Sequence, residues 1–197
     1  MCMYPSIKRV FDVIVSLLGM IVLFPVFFVL AVWVKTASHG PVIFRQTRVG
    51  RYGRAFTIYK FRTMYQSAPH MTPTHKLSQA EQYYAPGGGS LRHSSLDELP
   101  QLWNILKGEM SLVGPRPALP NQTDLIAARE KYGANDLRPG LTGWAQINGR
   151  NEIPVARKAR FDGEYVRNMS FLFDLKCIVG TLRGFGNPCK LRAQKDA

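Results

Sequence analysis

The sequence predicts a mostly helical α+β protein. A re-entrant N-terminal membrane helix is expected first, followed by a small cytoplasmic domain with a short β-hairpin and membrane-surface helices. The class follows from an uncharged apolar run over residues 13–34, two β-prone stretches and four later helical segments. With 197 residues, 46% of them hydrophobic and only 20% charged, the chain folds rather than forming a disordered basic tail. We divide it into residues 1–36, 37–186 and a tail over 187–197.

The composition is strongly basic, with 26 Lys and Arg against 13 Asp and Glu and a net charge of +13. Such a charge suits nucleic acid, anionic lipid and nucleotide substrates alike, so charge alone does not separate these partners. The three cysteines, Cys2, Cys177 and Cys189, form no CxxC pair. They support neither a disulfide framework nor a structural zinc site, which predicts a reducing, cytoplasm-facing setting.

The apolar run over residues 13–34 is long enough to enter a membrane, since about 33 Å of helix compares with a hydrocarbon core of about 30 Å. A signal peptide is disfavoured because no small-residue cleavage site follows the run. Pro25 predicts a kink near its middle. Basic residues flank both ends, Lys8 and Arg9 before and Lys35 after, so both ends are expected on the cytoplasmic side. These features favour a re-entrant helix, and a tilted single-pass helix stays an alternative.

The soluble part begins with a predicted β-hairpin. Residues 41–48 and 55–61 are β-prone, and the glycine-bearing segment 50–54 joins them. Residues 65–90 contain several prolines and a Gly triplet without a persistent period, which predicts a long mobile loop.

Four segments in the second half carry helix signals. The last of them is rich in apolar residues, and either a membrane surface or the domain core could cover it. Proline suits a first helical turn, Asn and Ser suit N-caps, and Gly suits the position after the last turn. The predicted helices span residues 100–107, 121–132, 154–167 and 170–183, with Asn121 and Ser170 as N-caps and Gly133 as a stop.

Two adjacent acids, Asp97 and Glu98, stand just before a predicted helix. If Pro100 is the first helical residue, the positive end of the helix dipole favours the ionised forms of both acids. The alternative is that Ser95 and Glu98 form a capping box, which leaves Asp97 as an ordinary first-turn acid. Pro100 argues against that alternative, because it would then fall inside the first full turn.

Two arginines near the acids suggest a phosphate ligand. Arg92 precedes Asp97 by five residues, and Arg116 lies in the rigid Gly-Pro-Arg-Pro turn over residues 114–117. Guanidinium groups bind phosphate oxygens through a two-pronged fork, and Mg²⁺ combines one or two carboxylates with phosphate oxygens. Either arginine alone could be a surface charge, so the hypothesis of phosphoryl transfer with Mg²⁺ rests on their grouping with the acids.

The sequence also resembles a known family, the bacterial sugar transferases known as monotopic phosphoglycosyl transferases. The resemblance extends from about residue 8 to 183. Its blocks are KRVFD at 8–12, KFRTM at 60–64, LRHSSLDELPQLWNILKG at 91–108, MSLVGPRP at 110–117 and RPGLTGWAQINGRN at 138–151.

The resemblance implies transfer of a sugar-1-phosphate from a UDP-sugar to undecaprenyl phosphate, with Mg²⁺ and release of UMP. The reaction would be the first membrane step of glycoconjugate synthesis, such as O-antigen, capsule, exopolysaccharide or glycoprotein, at the inner face of the bacterial cytoplasmic membrane. Asp97 corresponds to the nucleophile and Glu98 to the acid that assists with metal, while Arg92 and Arg116 hold phosphate. Further substrate-binding residues are expected at Lys60, Arg62, Arg138, Gln146, Asn148 and Arg150.

Some features bear on the donor and the membrane helix. The block over residues 142–151 offers Trp144 and polar groups for sugar recognition, with a structural turn as the alternative. The chain departs from the family pattern at Phe24, where Ser is frequent, in the 65–90 loop and at Gly163-Glu164. Its length resembles the minimal catalytic form of the family.

Two other function classes compete with the enzyme. A membrane-anchored binder of nucleic acid or anionic lipid explains the positive charge but has no use for Asp97 and Glu98 beside arginines, and no nucleic-acid-binding pattern is evident. A scaffold for polysaccharide export predicts that changes at Asp97 leave function intact. The expected partners are therefore a UDP-sugar, undecaprenyl phosphate and membrane lipids, without nucleic acid, and a homo-oligomer stays open.

Overall fold

A computed structural model of the protein describes residues 4–69, 72, 79–149 and 153–184, and most of these residues are helical. The strands are β1 (Ile43–Val49), β2 (Ala55–Phe61), β3 (Ser111–Val113) and β4 (Gly140–Thr142). The helices are α1 (Tyr4–Val22), α2 (Phe24–Ala37), α3 (Gly88–His93), α4 (Gln101–Lys107), α5 (Thr123–Glu130), α6 (Trp144–Ile147), α7 (Val155–Asn168) and α8 (Phe171–Gly184). The mostly helical α+β class is confirmed.

The N-terminal apolar run forms two helices rather than one. α1 and α2 meet at Leu23, two residues before Pro25, with a bend of 63°. Pro25 lies in the first turn of α2. Because proline has no backbone N–H, the series of helical hydrogen bonds that continues from α1 is interrupted there. Among the described helices, none is by itself long and apolar enough to cross a membrane, whereas the bent pair taken together passes that test.

Polar side chains of α1 attach this helix to the rest of the fold. Asp12 is buried and accepts hydrogen bonds from the Ser111 hydroxyl at 2.7 Å and from the Leu112 N–H at 3.1 Å. Arg9 donates to two carbonyls in the last turn of α4, at 2.6 and 3.0 Å, where a cation also complements the helix dipole. The bent helix pair is therefore fastened to β3 and α4.

The predicted hairpin is confirmed as an antiparallel pair, in register from Ile43 opposite Phe61 to Val49 opposite Ala55. Asn104 of α4 covers the outer edge of β2, because its side chain accepts from the Tyr59 N–H at 3.1 Å and donates to the Thr57 carbonyl at 2.7 Å. α4 and β2 also share a buried cluster of Ile58, Leu102, Ile105 and Met110.

A second sheet, formed by β3 and β4 in parallel, was not predicted from the sequence. Each strand has three residues, too few for a period-2 pattern to appear. Hydrogen bonds extend the pairing beyond the strands, from the Ser111 N–H to the Pro139 carbonyl at 2.9 Å and from the Gly114 N–H to the Thr142 carbonyl at 2.9 Å. The sheet brings the turn after β3 next to the chain around β4.

The segment predicted as one long loop contains structure at its end. Met64 and Tyr84 form an isolated bridge, and α3 begins at Gly88. A Cβ atom at Gly88 would collide with the backbone carbonyl of Thr63, so the Gly triplet permits a close backbone approach here. The prediction of a loop through residue 90 is therefore wrong for its last residues.

The predicted helix signals had mixed outcomes. Ser170 is confirmed as an N-cap, since its hydroxyl accepts from the Phe173 N–H at 3.3 Å. Gly133 has φ of 66° but lies three residues beyond the end of α5 at Glu130, so the predicted helix end at residue 132 is too late. Asn121 is not the N-cap of α5, which begins at Thr123 after Gln122.

One face of α8 packs against the domain, as the core-packing alternative for the last helix predicts. Asp174 and Cys177 are buried against the domain, and the Asp174 carboxylate accepts from the Tyr165 hydroxyl at 2.6 Å and from Lys8 at 2.5 Å. Its other face exposes Phe171, Leu172, Leu175 and Leu182.

Candidate active site

Glu98 is the acid around which the site is organised. Its Oε1 atom accepts one hydrogen bond from the Lys60 ammonium at 2.6 Å and another from Arg116 Nη2 at 2.6 Å. Lys60 lies on β2, Arg116 in the turn after β3 and Glu98 in a 3₁₀ turn, so one carboxylate oxygen joins three parts of the fold. Three of the predicted site residues are thus brought together.

An unusual backbone conformation precedes the two acids. Ser95 has φ 56° and ψ 15°, a left-handed conformation that is uncommon for a residue with a side chain. The 3₁₀ turn Leu96–Glu98 follows it and leads into α4. Ser95 makes no side-chain cap and Glu98 is bound to two cations, so the capping-box alternative is wrong. An irregular turn presents both acids.

Asp97 lies beside the ion pairs of Glu98 without joining them. The residue is only 4% exposed, yet within the described part of the chain no hydrogen bond or ion pair engages its carboxylate. Burial raises the pKa of Asp97, although the charge of nearby Lys60 acts against that rise. The expectation that a helix N-terminus favours the ionised form is corrected here, because α4 begins only at Gln101 and burial is the larger effect.

The pKa of Glu98 moves in the opposite direction. Burial alone would raise it, but Arg116 and Lys60 together hold the pKa of Glu98 well below its usual range. Glu98 in turn raises the pKa of Arg116. The site therefore contains one acid kept ionised by two cations and a second acid that is buried and available to a new partner.

A cleft of about 850 Å³ has Asp97 in its wall, whereas Glu98 is absent from the described residues of that wall. β1, the end of β2 and the segment that follows β2 form most of the wall. The charged residues of the described wall are Arg45, Arg48, Lys60, Arg62, Arg92 and Asp97. Cations outnumber the single carboxylate, and the volume is typical of small-molecule sites, so the cleft suits an anionic ligand of nucleotide size.

Arg48 belongs to this site and was not identified from the sequence. Its guanidinium donates to the Gln46 side chain at 2.6 and 3.0 Å and to the Pro117 carbonyl at 3.1 Å. Burial and the nearby Arg116 lower the pKa of Arg48 to about 10, so a bound anion would relieve the repulsion between two guanidinium groups. The strand period was the available signal, because it places Arg48 on the same face of the hairpin as Lys60.

Two predicted arginines of the cleft wall have different surroundings. Arg92 donates to Met64 Sδ at 3.1 Å, lies 5.7 Å from the centre of the Tyr84 ring and acts electrostatically on Asp97. Arg62 instead donates to two carbonyls that follow α2, at 2.6 and 2.7 Å. Arg92 thus accompanies the acids, whereas Arg62 joins the cleft to the end of the bent helix pair.

The remaining predicted substrate-binding residues, Arg116 among them, are absent from the described wall of the cleft. Arg138, Gln146 and Asn148 each donate to a main-chain carbonyl, at 2.8, 3.0 and 2.8 Å. These contacts support the backbone next to β3, β4 and α6. Arg150 lies outside the described residues.

Trp144, expected to offer a stacking surface to a sugar, is engaged by the protein itself. Its indole N–H donates to Glu164 at 2.9 Å, and Lys176 lies 4.7 Å from the centre of its ring. The Phe173 ring packs against it with 4.9 Å between centroids. These contacts favour the structural alternative for the segment around residue 144.

Asp97 and Glu98 were also predicted as metal ligands. In the part of the chain that the structure describes, no three His, Cys, Asp or Glu side chains lie close enough together to hold a metal ion. Mg²⁺ does not require such a cluster, because it completes its coordination with water and substrate phosphates. The unengaged Asp97 carboxylate fits that role, whereas Glu98 Oε1 is already bound to two cations.

Comparison with known proteins supplies independent information. The family model described as bacterial sugar transferase matches residues 3–187. An undecaprenyl-phosphate glucose phosphotransferase of Komagataeibacter xylinus is 40% identical over 186 residues, which are 89% of this chain and 35% of that protein. A UDP-glucose:undecaprenyl-phosphate glucose-1-phosphate transferase of Escherichia coli is 40% identical over 195 residues, 92% of this chain and 40% of that protein.

A shorter relative matches over most of its length. The uncharacterized sugar transferase EpsL of Bacillus subtilis is 41% identical over 182 residues, which are 90% of this chain and 86% of that protein. The chain thus spans less than half of the two longer relatives and most of this shorter one.

We predict that isosteric amides at the two acids change stability in opposite directions at pH 7. Glu98→Gln should lower the free energy of unfolding by about 2–3 kcal/mol. This is less than the cost of breaking a fully buried ion pair, because Arg116 is partly exposed. Asp97→Asn should raise the free energy of unfolding by about 0.5–2 kcal/mol, because it removes a buried carboxylate that no hydrogen bond or ion pair engages within the described residues. Thermal unfolding of the ligand-free protein in detergent measures both changes.

The pH dependence of these stability changes tests whether they arise from the charges of the two acids. The pKa of Glu98 is depressed in the folded state, so ionised Glu98 stabilises the fold above the unfolded-state pKa of about 4.3. This stabilisation is lost as the pH falls through the folded-state pKa. The loss of stability caused by Glu98→Gln should therefore shrink in acid. The pKa of Asp97 is raised in the folded state, so the gain in stability from Asp97→Asn should shrink as the pH falls through the folded-state pKa of Asp97. Equal deficits for both variants at every pH would contradict the assignment.

Proposed function

The chain belongs to the bacterial sugar transferase family, and we propose that it transfers a sugar-1-phosphate from a UDP-sugar to undecaprenyl phosphate, releasing UMP. This reaction would start the assembly of a polysaccharide or other glycoconjugate on the lipid. UDP-glucose is the first donor to test, because relatives from Xanthomonas campestris and E. coli are named for it.

The observation that carries the proposal is the position of Asp97. A buried carboxylate that no hydrogen bond or ion pair engages within the described residues forms part of the wall of a cationic cleft, next to an acid that two cations already neutralise. Such a carboxylate is a poor structural element, because its desolvation is not repaid by a contact. It is a suitable nucleophile toward an anionic substrate whose charge the surrounding cations balance.

In the first proposed step, an Asp97 carboxylate oxygen attacks the phosphorus that bears the sugar. A new oxygen–phosphorus bond forms, and the bond from that phosphorus to the bridging oxygen of the diphosphate breaks. UMP departs with the bridging oxygen and its electron pair. Arg92 and Arg116 bind phosphate oxygens through their forks, and Arg48 adds a third guanidinium near the diphosphate.

In the second step, a phosphate oxygen of undecaprenyl phosphate attacks the same phosphorus. The bond to Asp97 breaks, the carboxylate is regenerated and the lipid diphosphate-sugar leaves. The acceptor phosphate is already ionised and needs no separate base. Dividing the transfer in this way lets one nucleophile handle a water-soluble donor and a lipid acceptor in succession, which predicts ping-pong kinetics.

We propose Mg²⁺ as the cofactor, held by Asp97 with Glu98 as a neighbouring ligand. When bound, the ion would neutralise charge on the donor diphosphate and stabilise the departing phosphate. Asp97 has its carboxylate unengaged within the described residues, so it is the principal candidate ligand.

The proposed location is the inner face of the bacterial cytoplasmic membrane, with the bent helix pair re-entrant. Exposed apolar side chains cover α1 and α2, and Phe11 packs edge-to-face on Phe171 with 5.8 Å between centroids, which continues this apolar surface onto α8. Basic residues at both ends of the pair favour two cytoplasmic ends. α8 would then lie along the membrane surface.

We predict that the enzyme accumulates a sugar-phosphate adduct on Asp97 when it is given donor without acceptor. Purified protein, Mg²⁺ and a panel of UDP-sugars should yield UMP and an adduct on the peptide that contains residues 95–107, detected by intact mass and peptide mapping. Asp97→Asn serves as the matched control and should show neither.

Different outcomes separate the rival functions. UMP release without adduct, together with intersecting double-reciprocal lines, would indicate direct transfer in a ternary complex. Absence of UMP with every donor, in the presence of undecaprenyl phosphate, would leave a lipid-binding or scaffold protein and overturn the proposed enzyme.

We also predict that both ends of the helix pair face the cytoplasm. In a background without cysteine, Ser6→Cys and Thr36→Cys should react with an impermeant maleimide only after spheroplasts are lysed. Labelling of Ser6→Cys in intact spheroplasts would show that the segment spans the membrane. Adding Pro25→Leu should straighten the pair and shift Ser6→Cys toward external labelling.

A further inference from the structure

The turn that bears Arg116 is held through its carbonyl groups. Four consecutive carbonyls, those of residues 115–118, each accept a hydrogen bond from a different donor elsewhere in the chain. The donors are the Gly140 N–H at 2.9 Å, Arg129 Nη1 at 2.9 Å, Arg48 Nη1 at 3.1 Å and the Val49 N–H at 2.9 Å.

Among these donors, Arg129 is the one that acts on Arg116 itself. It reaches across from α5 to the carbonyl of the residue whose side chain binds Glu98. The Arg116 side chain is therefore constrained at both ends, by Arg129 at its main chain and by Glu98 at its guanidinium.

Arg129 is in turn held by α7. Its Nε atom donates to Asp162 Oδ2 at 2.7 Å, and the two residues are only 4% and 2% exposed. A buried ion pair of this kind is weak evidence for stability, because desolvation offsets much of the attraction. Its geometric effect is clearer, since two bonds from one planar guanidinium define the position of the Arg116 carbonyl relative to α7.

We infer that Arg129, oriented by Asp162, is a positioning residue for the phosphate-binding Arg116. The inference rests on the proposed function, because it requires Arg116 to bind the donor diphosphate. Misplacing a catalytic group by about 1 Å costs on the order of 100-fold in rate, so a buried support for Arg116 has a direct consequence for the reaction.

The first test is Arg129→Lys, which keeps the charge but cannot make both bonds of the fork. We expect kcat/KM for the UDP-sugar to fall by about 10- to 100-fold. Asp162→Asn should produce a smaller fall in the same direction, and it provides a second variant if Arg129→Lys does not fold. Arg160→Lys, an exposed position on the same helix as Asp162, is the matched control and should retain full activity.

A double-mutant cycle separates positioning from a general structural role. If Arg129 acts through Arg116, Arg129→Lys should change kcat/KM much less in an Arg116→Lys background than in the wild type. Equal fold-changes in both backgrounds would overturn the inference.

A measurement that does not depend on catalysis tests the positioning role separately from the proposed function. The ¹⁵N signal of Arg116 Nε, assigned by its loss in Arg116→Lys, should shift or broaden in Arg129→Lys but not in Arg160→Lys. An unchanged signal overturns the positioning role. A shifted signal in a protein that releases no UMP with any donor would support the positioning contact and reject the proposed function.

Discussion

A single oxygen atom of Glu98 makes the two neighbouring acids different from each other. Because Oε1 accepts from both Lys60 and Arg116, three parts of the chain meet at one negative charge. Removing that charge would leave two cations without their partner, which is costly away from solvent. With those cations engaged by Glu98, Asp97 keeps an unbonded carboxylate within the described structure, although it is the more buried of the two acids.

The surrounding fold supports this arrangement from several directions. Asn104 fastens α4, which follows the acids, to the edge of the strand that bears Lys60. Arg9 and Asp12 fasten α1 to α4 and to β3, the elements that lead from Glu98 and toward Arg116. The bent apolar helices and the cationic cleft are thus parts of one framework. That connection suits a protein whose proposed substrates come from water and from the membrane.

The sequence predicted the elements that carry a long enough pattern, and it missed those that do not. The hairpin and the N-cap at Ser170 follow from local chemistry and are confirmed. The parallel strands β3 and β4 are three residues long and depend on distant pairing, so no local signal predicts them.

The site shows the same division between motif and geometry. Asp97, Glu98, Lys60 and Arg116 were named from motifs and lie together, while Arg138, Gln146 and Asn148, named in the same way, hold main-chain carbonyls elsewhere. A motif identifies residues that matter to a family without saying which contact each makes.

Carboxyl ¹³C NMR of the ligand-free protein, assigned with Asp97→Asn and Glu98→Gln, most directly tests the difference between the two acids. We expect the Glu98 signal to stay that of an ionised carboxylate well below pH 4 and the Asp97 signal to titrate above the usual range of aspartate, whereas a Glu98 that titrates at or above its usual pKa would contradict the account.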